Sequence, residues 1–314
     1  MSSSPPTDGH ALGVELTERA WAAIAGGYDL QVHVEPDLAR RRTDDIDLAR
    51  DFLARGLAGF VLKSHYVPTA ERAAVVRRAV PGIEAHGAIS LNHGVGGLNP
   101  VAVDIAGRSG AKIVWLPTHD AQNEDDAARK PMPRPPVWVA IKQEMEQRSW
   151  IKGPVLVFDA AGEPVPGLLE CLDAVATHDM ALATSHLSRD EIRRVVPLAL
   201  GRGVRHVIIT HPEYPSQNLS ASDQSALVEQ GAYIEHCFTT AHTGKCTWDT
   251  MLENIRATGV EQTIISTDLG QLQNPPVAAG LAAFAQRLLD AGWSDDEVRT
   301  MAVTNPVELL GLEG

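Results

Sequence analysis

The chain is short of cysteine, short of basic residues relative to acidic ones, and free of long apolar runs, and each shortage removes a class of protein. Three cysteines in 314 residues, Cys171, Cys237 and Cys246, are an odd and widely spaced set that fits neither a disulfide framework nor a Cys-x-x-Cys zinc site. All three are expected to be reduced, with Cys237 packed beside the strand that carries Glu235. With 27 Lys and Arg against 40 Asp and Glu, the net charge of −13 argues against a nucleic-acid or anionic-membrane surface, because phosphate binding is dominated by basic side chains. No 18-residue apolar stretch occurs, and residues 1–12 lack the charged and apolar parts of a secretory leader, so a cytoplasmic protein is expected. A small-molecule or acyl-carrier substrate is then the expected partner, and an oligomer is compatible with the sequence.

What is present is alternation. At 44% hydrophobic the chain can bury a sizeable core, and short apolar runs recur between helix-like segments. Strands are expected at Asp29 to Val34, Gly59 to Lys63, Gly87 to Leu91, Ala111 to Leu116, Met180 to Thr184, Val204 to Thr210, Ala232 to His236 and Gln262 to Thr267. Helices are expected at Asp44 to Arg55, Thr69 to Val80, Pro100 to Ser109 and Leu168 to Thr177, after the capping box Ser188 to Glu191, and at Pro276 to Ala291 and Asp295 to Thr304. Such alternation predicts a parallel sheet, and eight units predict a single-domain (β/α)8 TIM barrel over residues 1–314. Residues 1–20 read as a tail. An insertion over 120–165 is expected to cover the site: a long excursion after strand four, with the acidic Glu124-Asp125-Asp126, a proline-rich run over 130–136 and an amphipathic Val137 to Trp150, then a β-hairpin over 155–165.

Potential metal ligands fall at the carboxyl ends of successive strands: Gln31 and His33, His65, His186, His211, Glu235 and Asp268. Active sites of such barrels are built on that rim. Residues i and i+2 of a strand share a face, so Gln31 and His33 can reach one ion while Val32 packs oppositely. Imidazoles with one or two carboxylates suit zinc, iron, manganese or nickel, and suit calcium or magnesium poorly. A lone strand-end histidine is more often a polar loop or core residue than a ligand, but a set on one rim reverses that balance. His10, His178, His206 and His242 take the structural reading, and His86, His93 and His119 stay open. Lys63 and Asp120 are either ligand-orienting groups or strand-end polar residues.

The strand-one pattern, Thr184-Ser185-His186, Thr210-His211-Pro212, Ser266-Thr267-Asp268 and the closing Thr304 to Leu312 segment resemble the amidohydrolase-type metal-dependent TIM barrels over nearly the whole chain. Leu62-Lys63-Ser64-His65, Val95 to Pro100, Lys112 to Thr118 and Ser266 to Gln271 look more narrowly like an uncharacterised amidohydrolase-like offshoot. That offshoot includes a TIM-barrel non-heme diiron monooxygenase, the β-hydroxylase of platensimycin and platencin diterpenoid biosynthesis. Two departures from the hydrolase pattern stand out: Gln31 replaces the first His of His-x-His, and Val114 to Thr118 offers no Lys or Glu to bridge two metals.

The resemblance implies two activities. In the first, an iron pair uses dioxygen and an external reductant to hydroxylate an unactivated carbon of a bulky acid, diterpenoid or CoA-linked, with Asp268 and Glu235 catalytic. Arg129, Lys130, Arg134 and Lys142 would then meet CoA phosphates. In the second, zinc or manganese hydrolyses an amide, lactone or ester with Asp268 as general base. A barrel that keeps these residues for packing alone is disfavoured, because buried polar groups without partners are costly. Gln31→His should change metal selectivity or activity more than Gln31→Asn changes folding, as read by metal analysis and denaturant unfolding. Equal loss of fold in both variants would make Gln31 a packing residue.

Overall fold

The computed structural model describes residues 12–128 and 137–312. A first helix, α1 (Glu18–Ala23), precedes β1 (Tyr28–Val32), α2 (Asp45–Ala54), β2 (Gly59–Leu62), α3 (Ala70–Ala79), β3 (Glu84–Ser90), α4 (Pro100–Arg108) and β4 (Ala111–Trp115). Two helices of the excursion follow, α5 (Gln122–Ala128) and α6 (Val137–Gln147), then α7 (Leu168–Thr177), β5 (Ala181–Ala183), α8 (Arg189–Gly201), β6 (Val207–Thr210) and α9 (Ala221–Val228). The last third holds β7 (Tyr233–Cys237), α10 (Phe238–His242), α11 (Trp248–Thr258), β8 (Thr263–Ser266), α12 (Val277–Asp290), α13 (Asp295–Arg299) and α14 (Asn305–Leu309). The strands lie parallel in sequence order, β1 to β8, as a (β/α)8 barrel requires.

Local chemistry sets the element ends. Asn99 accepts from the amides of Val101 and Ala102 and starts α4, with Pro100 in the first turn where its missing N–H costs nothing. Ser188 and Glu191 form the expected capping box of α8, and Ser220 with Asp223 repeats it at α9, a helix the sequence reading did not assign. Most strands are shorter than expected because their last residues have already turned into the rim loops. The expected hairpin is reduced to a single antiparallel bridge, Phe158 to Pro164, since Pro164 has no N–H to continue a ladder. Val155 pairs instead in parallel with Ala121, stitching the excursion to the end of the β4 loop.

Leu30, Val61, Ile113, Trp115, Ile208 and Ile264 fill the barrel interior, joined by Leu309 at the end of α14 and by Leu310 just after it. Outside the sheet, Phe52 and Phe60 meet edge-to-face at 5.2 Å in one layer of core, and Leu172, Val195 and Ile209 lie in another. The pairing of β1 with β2 slips between Asp29 and Val32, so Leu30 lines the interior while Val32, two residues on, packs in the outer layer. That slip turns His33 inward. β1 and β8 are joined by side-chain and backbone bonds: Asp29 accepts from Thr267 N (3.1 Å), Thr267 Oγ1 (2.5 Å) and Gln31 N (3.1 Å). Asp268 N then donates to Gln31 O (2.9 Å) and His33 N to Leu269 O (2.8 Å).

Asp29 is fully buried, and deleting its carboxylate strands three donors, each worth about 1–3 kcal/mol when left unpaired. Asp29→Ala should therefore cost at least about 3 kcal/mol in denaturant unfolding. A variant within about 0.5 kcal/mol of wild type would show that the seam closes without it.

Candidate metal centre

All eight strands end in polar side chains on the same rim. His33 follows β1, Lys63 and His65 follow β2, and Asn92 follows β3; Thr118, His119 and Asp120 follow β4. His186, His211 and Asp268 follow β5, β6 and β8, and Glu235 lies within β7. His33 Nε2 is 3.0 Å from Asp268 Oδ1, and Thr239 Oγ1 donates to Asp268 Oδ2 at 3.2 Å. The rings of His33 and His65 stack at 4.9 Å, His65 meets His119 edge-on at 5.3 Å, and His186 meets His211 edge-on at 4.8 Å. Side chains up to 237 residues apart in sequence thus lie on one rim.

Two of these residues and the neighbour of a third, Ser185 beside His186, bend the chain sharply. Ser185, His211 and Asp268 have φ of 56°, 32° and 53°, in the left-handed region that costs a non-glycine residue roughly 1–3 kcal/mol and clusters at functional sites. Two residues beyond Asp268, Gly270 has φ of 137°, and a Cβ there would stand 1.6 Å from the His33 carbonyl oxygen. Only glycine lets the β8 loop pass that close to the end of β1.

The far sides of His65 and His211 are held. His65 Nδ1 lies 2.8 Å from Thr118 Oγ1, which Asn92 fixes through bonds to both its hydroxyl and its backbone N–H. His211 Nδ1 faces the Gln217 amide nitrogen at 3.2 Å. To bind an ion through Nε2, His211 must carry its proton on Nδ1, which requires that amide to turn its oxygen to the ring. His186 Nδ1 stands 3.1 Å from Glu124 Oε1, a hydrogen-bond distance with the ring turned so that the N–H points off the oxygen. Sequence reasoning took Glu124 only as part of an acidic run. Asn92, Thr118 and Gln217 were missed as well, and they carry no periodic signal that marks them.

Electrostatics follow from burial. Lys63, fully enclosed with Nζ 5.0 Å over the Trp115 ring, is pushed below its ordinary value by desolvation, against the pull of Asp268 and Glu235. Burial lifts Asp29 and Glu235 to about 7. Burial acts upward on Asp268 too, yet its hydrogen bond to His33 and the charges of His33, Lys63 and His211 outweigh it and hold the carboxyl ionised far below the usual range. Glu124 is drawn down to about 2, because the proximity of His186 and the hydrogen bond from Ser216 outweigh its desolvation.

The donors fit a metal ion. The amide oxygen of Gln31 and Oε1 of Glu235 are buried without a hydrogen-bond partner, a costly state that a cation would relieve, whereas the Gln31 amide nitrogen and Nδ1 of His33 are unpaired too and would need another partner. Two ligand atoms each bonded at about 2 Å to a tetrahedral ion are roughly 3.3 Å apart, so the 3.0 Å between His33 and Asp268 already approaches that spacing. Among the described residues, no three His, Cys, Asp or Glu side chains are drawn together tightly enough to hold an ion as they stand. Loading would therefore need the opposing pairs, His33 with Asp268 and His186 with His211, to close in.

Lys142 does not match its expected role. Its ammonium is buried, 2.7 Å from Asp125 and 3.7 Å from Asp120, and so is committed to the excursion's own carboxylates rather than to a phosphate. Arg129, Lys130, Arg134 and His10 lie outside the described residues. His178 pairs with Asp104 at 2.7 Å and His242 stacks on Phe238, as structural residues. His93 bonds to the Gly153 carbonyl at 2.8 Å, tying down the excursion, and His86 sits away from the rim beside Tyr28. No described helix is long and apolar enough to cross a membrane.

Residues 26–235 match the model of a family of unknown function (DUF6282), and the chain belongs to that family. No curated protein matches it. Among solved structures, an amidohydrolase from Pseudomonas aeruginosa superposes with a TM-score of 0.56 at 11% identity, over 92% of this chain and 97% of its own. Organophosphorus hydrolase from Deinococcus radiodurans gives 0.56 at 15%, over 92% and 94%. An amidohydrolase from Burkholderia multivorans with bound zinc gives 0.56 at 10%, over 91% and 99%. At these identities the likeness establishes a shared barrel fold.

Seven histidines, His33, His65, His86, His119, His206, His211 and His242, are held below their ordinary value by burial, His86 and His119 at about 4. The unfolded chain binds those protons more readily, so between about pH 4 and 6.5 stability rises with pH. Asp29 and Glu235 work oppositely, because their raised values make the folded state take up protons until about pH 7, but they are two against seven. The urea midpoint of the metal-free protein should climb from about pH 4.5 to 6.5. A midpoint that falls over that range contradicts the neutral-histidine site.

Proposed function

We propose that the protein is a metal-dependent hydrolase of an ester, lactone or amide. The observation that carries the reading is the gathering of His33, His65, His186, His211, Glu235 and Asp268 on one rim, with Gln31 and Glu235 keeping buried polar atoms unpaired. His33, His186, His211 and Asp268 would hold the ion, with His65 and Gln31 completing its surroundings. Zinc or manganese suits such donors, and when bound supplies Lewis acidity toward a carbonyl and toward water. The barrel likeness to amidohydrolases, one of them with bound zinc, supports this assignment.

The two carboxyls divide the work. Asp268, held ionised by His33 and Lys63, is a ligand and a weak base. Glu235, lifted to about 7 by burial, is matched to take a proton from the attacking water near neutrality and return it to the leaving group. Lys63 offsets their shared negative charge. The rings of His65 and His119 and the excursion helices limit water around the reacting carbonyl.

An oxygenase reading draws on the extra donors His65 and Glu235 and on Gln31 in place of a histidine, a mixed sphere that also suits iron. Oxygen dependence separates the two. Protein purified with its metal should turn over a panel of chromogenic esters, lactones and amides equally under argon and in air, and Glu235→Gln should cut that rate roughly 100- to 10,000-fold. Iron at about two equivalents with strictly oxygen-dependent substrate consumption would overturn the hydrolase.

A further inference from the structure

Glu124 is a carboxylate beside a rim histidine that comes from a helix of the excursion rather than from a strand or its end. It sits in the first turns of α5, within the excursion, and is held there by more than its contact with His186. Ser216 donates to Glu124 Oε1 at 2.7 Å, and Asn123 donates to the carbonyls of Ser216 (2.7 Å) and His186 (3.3 Å). This end of α5 is therefore sewn to the β5 and β6 loops. The next residue, Asp125, passes the restraint on: its carboxylate pairs with Lys142 of α6 at 2.7 Å, and Lys142 also lies 3.7 Å from Asp120 at the excursion's root. Glu124 and Lys142 are buried. The chain thus runs in contact from a rim histidine to the far helix of the excursion.

A carboxylate on one nitrogen of an imidazole fixes the ring's orientation and tautomer and raises the basicity of the other nitrogen. We propose that Glu124 is the positioning residue of the centre, accepting the Nδ1 proton of His186 and leaving Nε2 bare for an ion, so that ion binding and docking of the excursion are one linked equilibrium. The inference rests on the metal-centre reading and deepens it by giving the excursion a task. The N–H of His186 is turned off the oxygen at 3.1 Å, and a ring rotation that brings it on line both completes this bond and sets Nε2. By reciprocity, whatever the ion gains from a docked α5, the docked state gains from the ion.

The test is zinc titration of chelator-stripped full-length protein, with amide hydrogen exchange over 122–147 measured with and without zinc. Wild type should bind zinc and gain protection across α5 and α6. Glu124→Ala should bind zinc about 10- to 100-fold more weakly and lose the zinc-dependent protection. Glu124→Gln, which keeps an acceptor oxygen, should recover most of the affinity, and this rescue separates positioning from loss of fold. Zinc binding and protection in Glu124→Ala equal to wild type would overturn the proposal while leaving the metal centre standing. Equal loss in the Gln and Ala variants would also overturn it. Failure of wild type to bind zinc or manganese at all, alike with His186→Ala, would remove the centre itself and this inference with it.

Discussion

The site depends on the seam where the last strand meets the first. A (β/α)8 sheet brings its ends together only if β8 finds β1, and here two backbone bonds do so at the very residues of interest: Asp268 N to Gln31 O and His33 N to Leu269 O. The same seam is fixed below by Asp29, whose buried carboxylate takes three donors, two of them from Thr267. A slip in the β1–β2 pairing turns His33 inward, and Gly270 lets the two loops touch without a side chain between them. Closure of the barrel and assembly of the His33–Asp268 pair are one event.

That arrangement is costly, and the costs are concentrated where chemistry is expected. Left-handed backbone at Ser185, His211 and Asp268, desolvated imidazoles, and a Gln31 amide with neither end paired all work against folding, while the apolar interior of Leu30, Ile113, Trp115 and Ile264 beneath them works for it. Nothing about packing alone asks for such a rim, since apolar residues of the same volume would remove most of the penalty. A bound cation, as proposed, would offset part of that cost by engaging the unpaired oxygens of Gln31 and Glu235.

Much of this was legible in the chain. His33, His186, His211 and Asp268 each follow an apolar run of strand length, so a period-two pattern plus the rule that barrel sites gather at strand ends locates them. Glu235 was placed by its own strand. What escaped lies off the strands: Glu124, Gln217 and Asn92 sit in loops or in a seven-residue helix, where no periodicity singles out one polar residue from its neighbours. Lys142 was misjudged because a basic residue in a charged stretch looks solvated, whereas here it is enclosed with Asp125. Helix α9 carried a readable signal, Ser220 with Asp223, and α11 a weaker one in Thr247.

The most direct measurement is anomalous diffraction from crystals grown with zinc or manganese, recorded on both sides of the metal's absorption edge. The account predicts a peak inside the barrel mouth, within bonding reach of His33, His186, His211 and Asp268. No peak there, or one only at surface carboxylates, with His33 and Asp268 still in mutual contact, would contradict it.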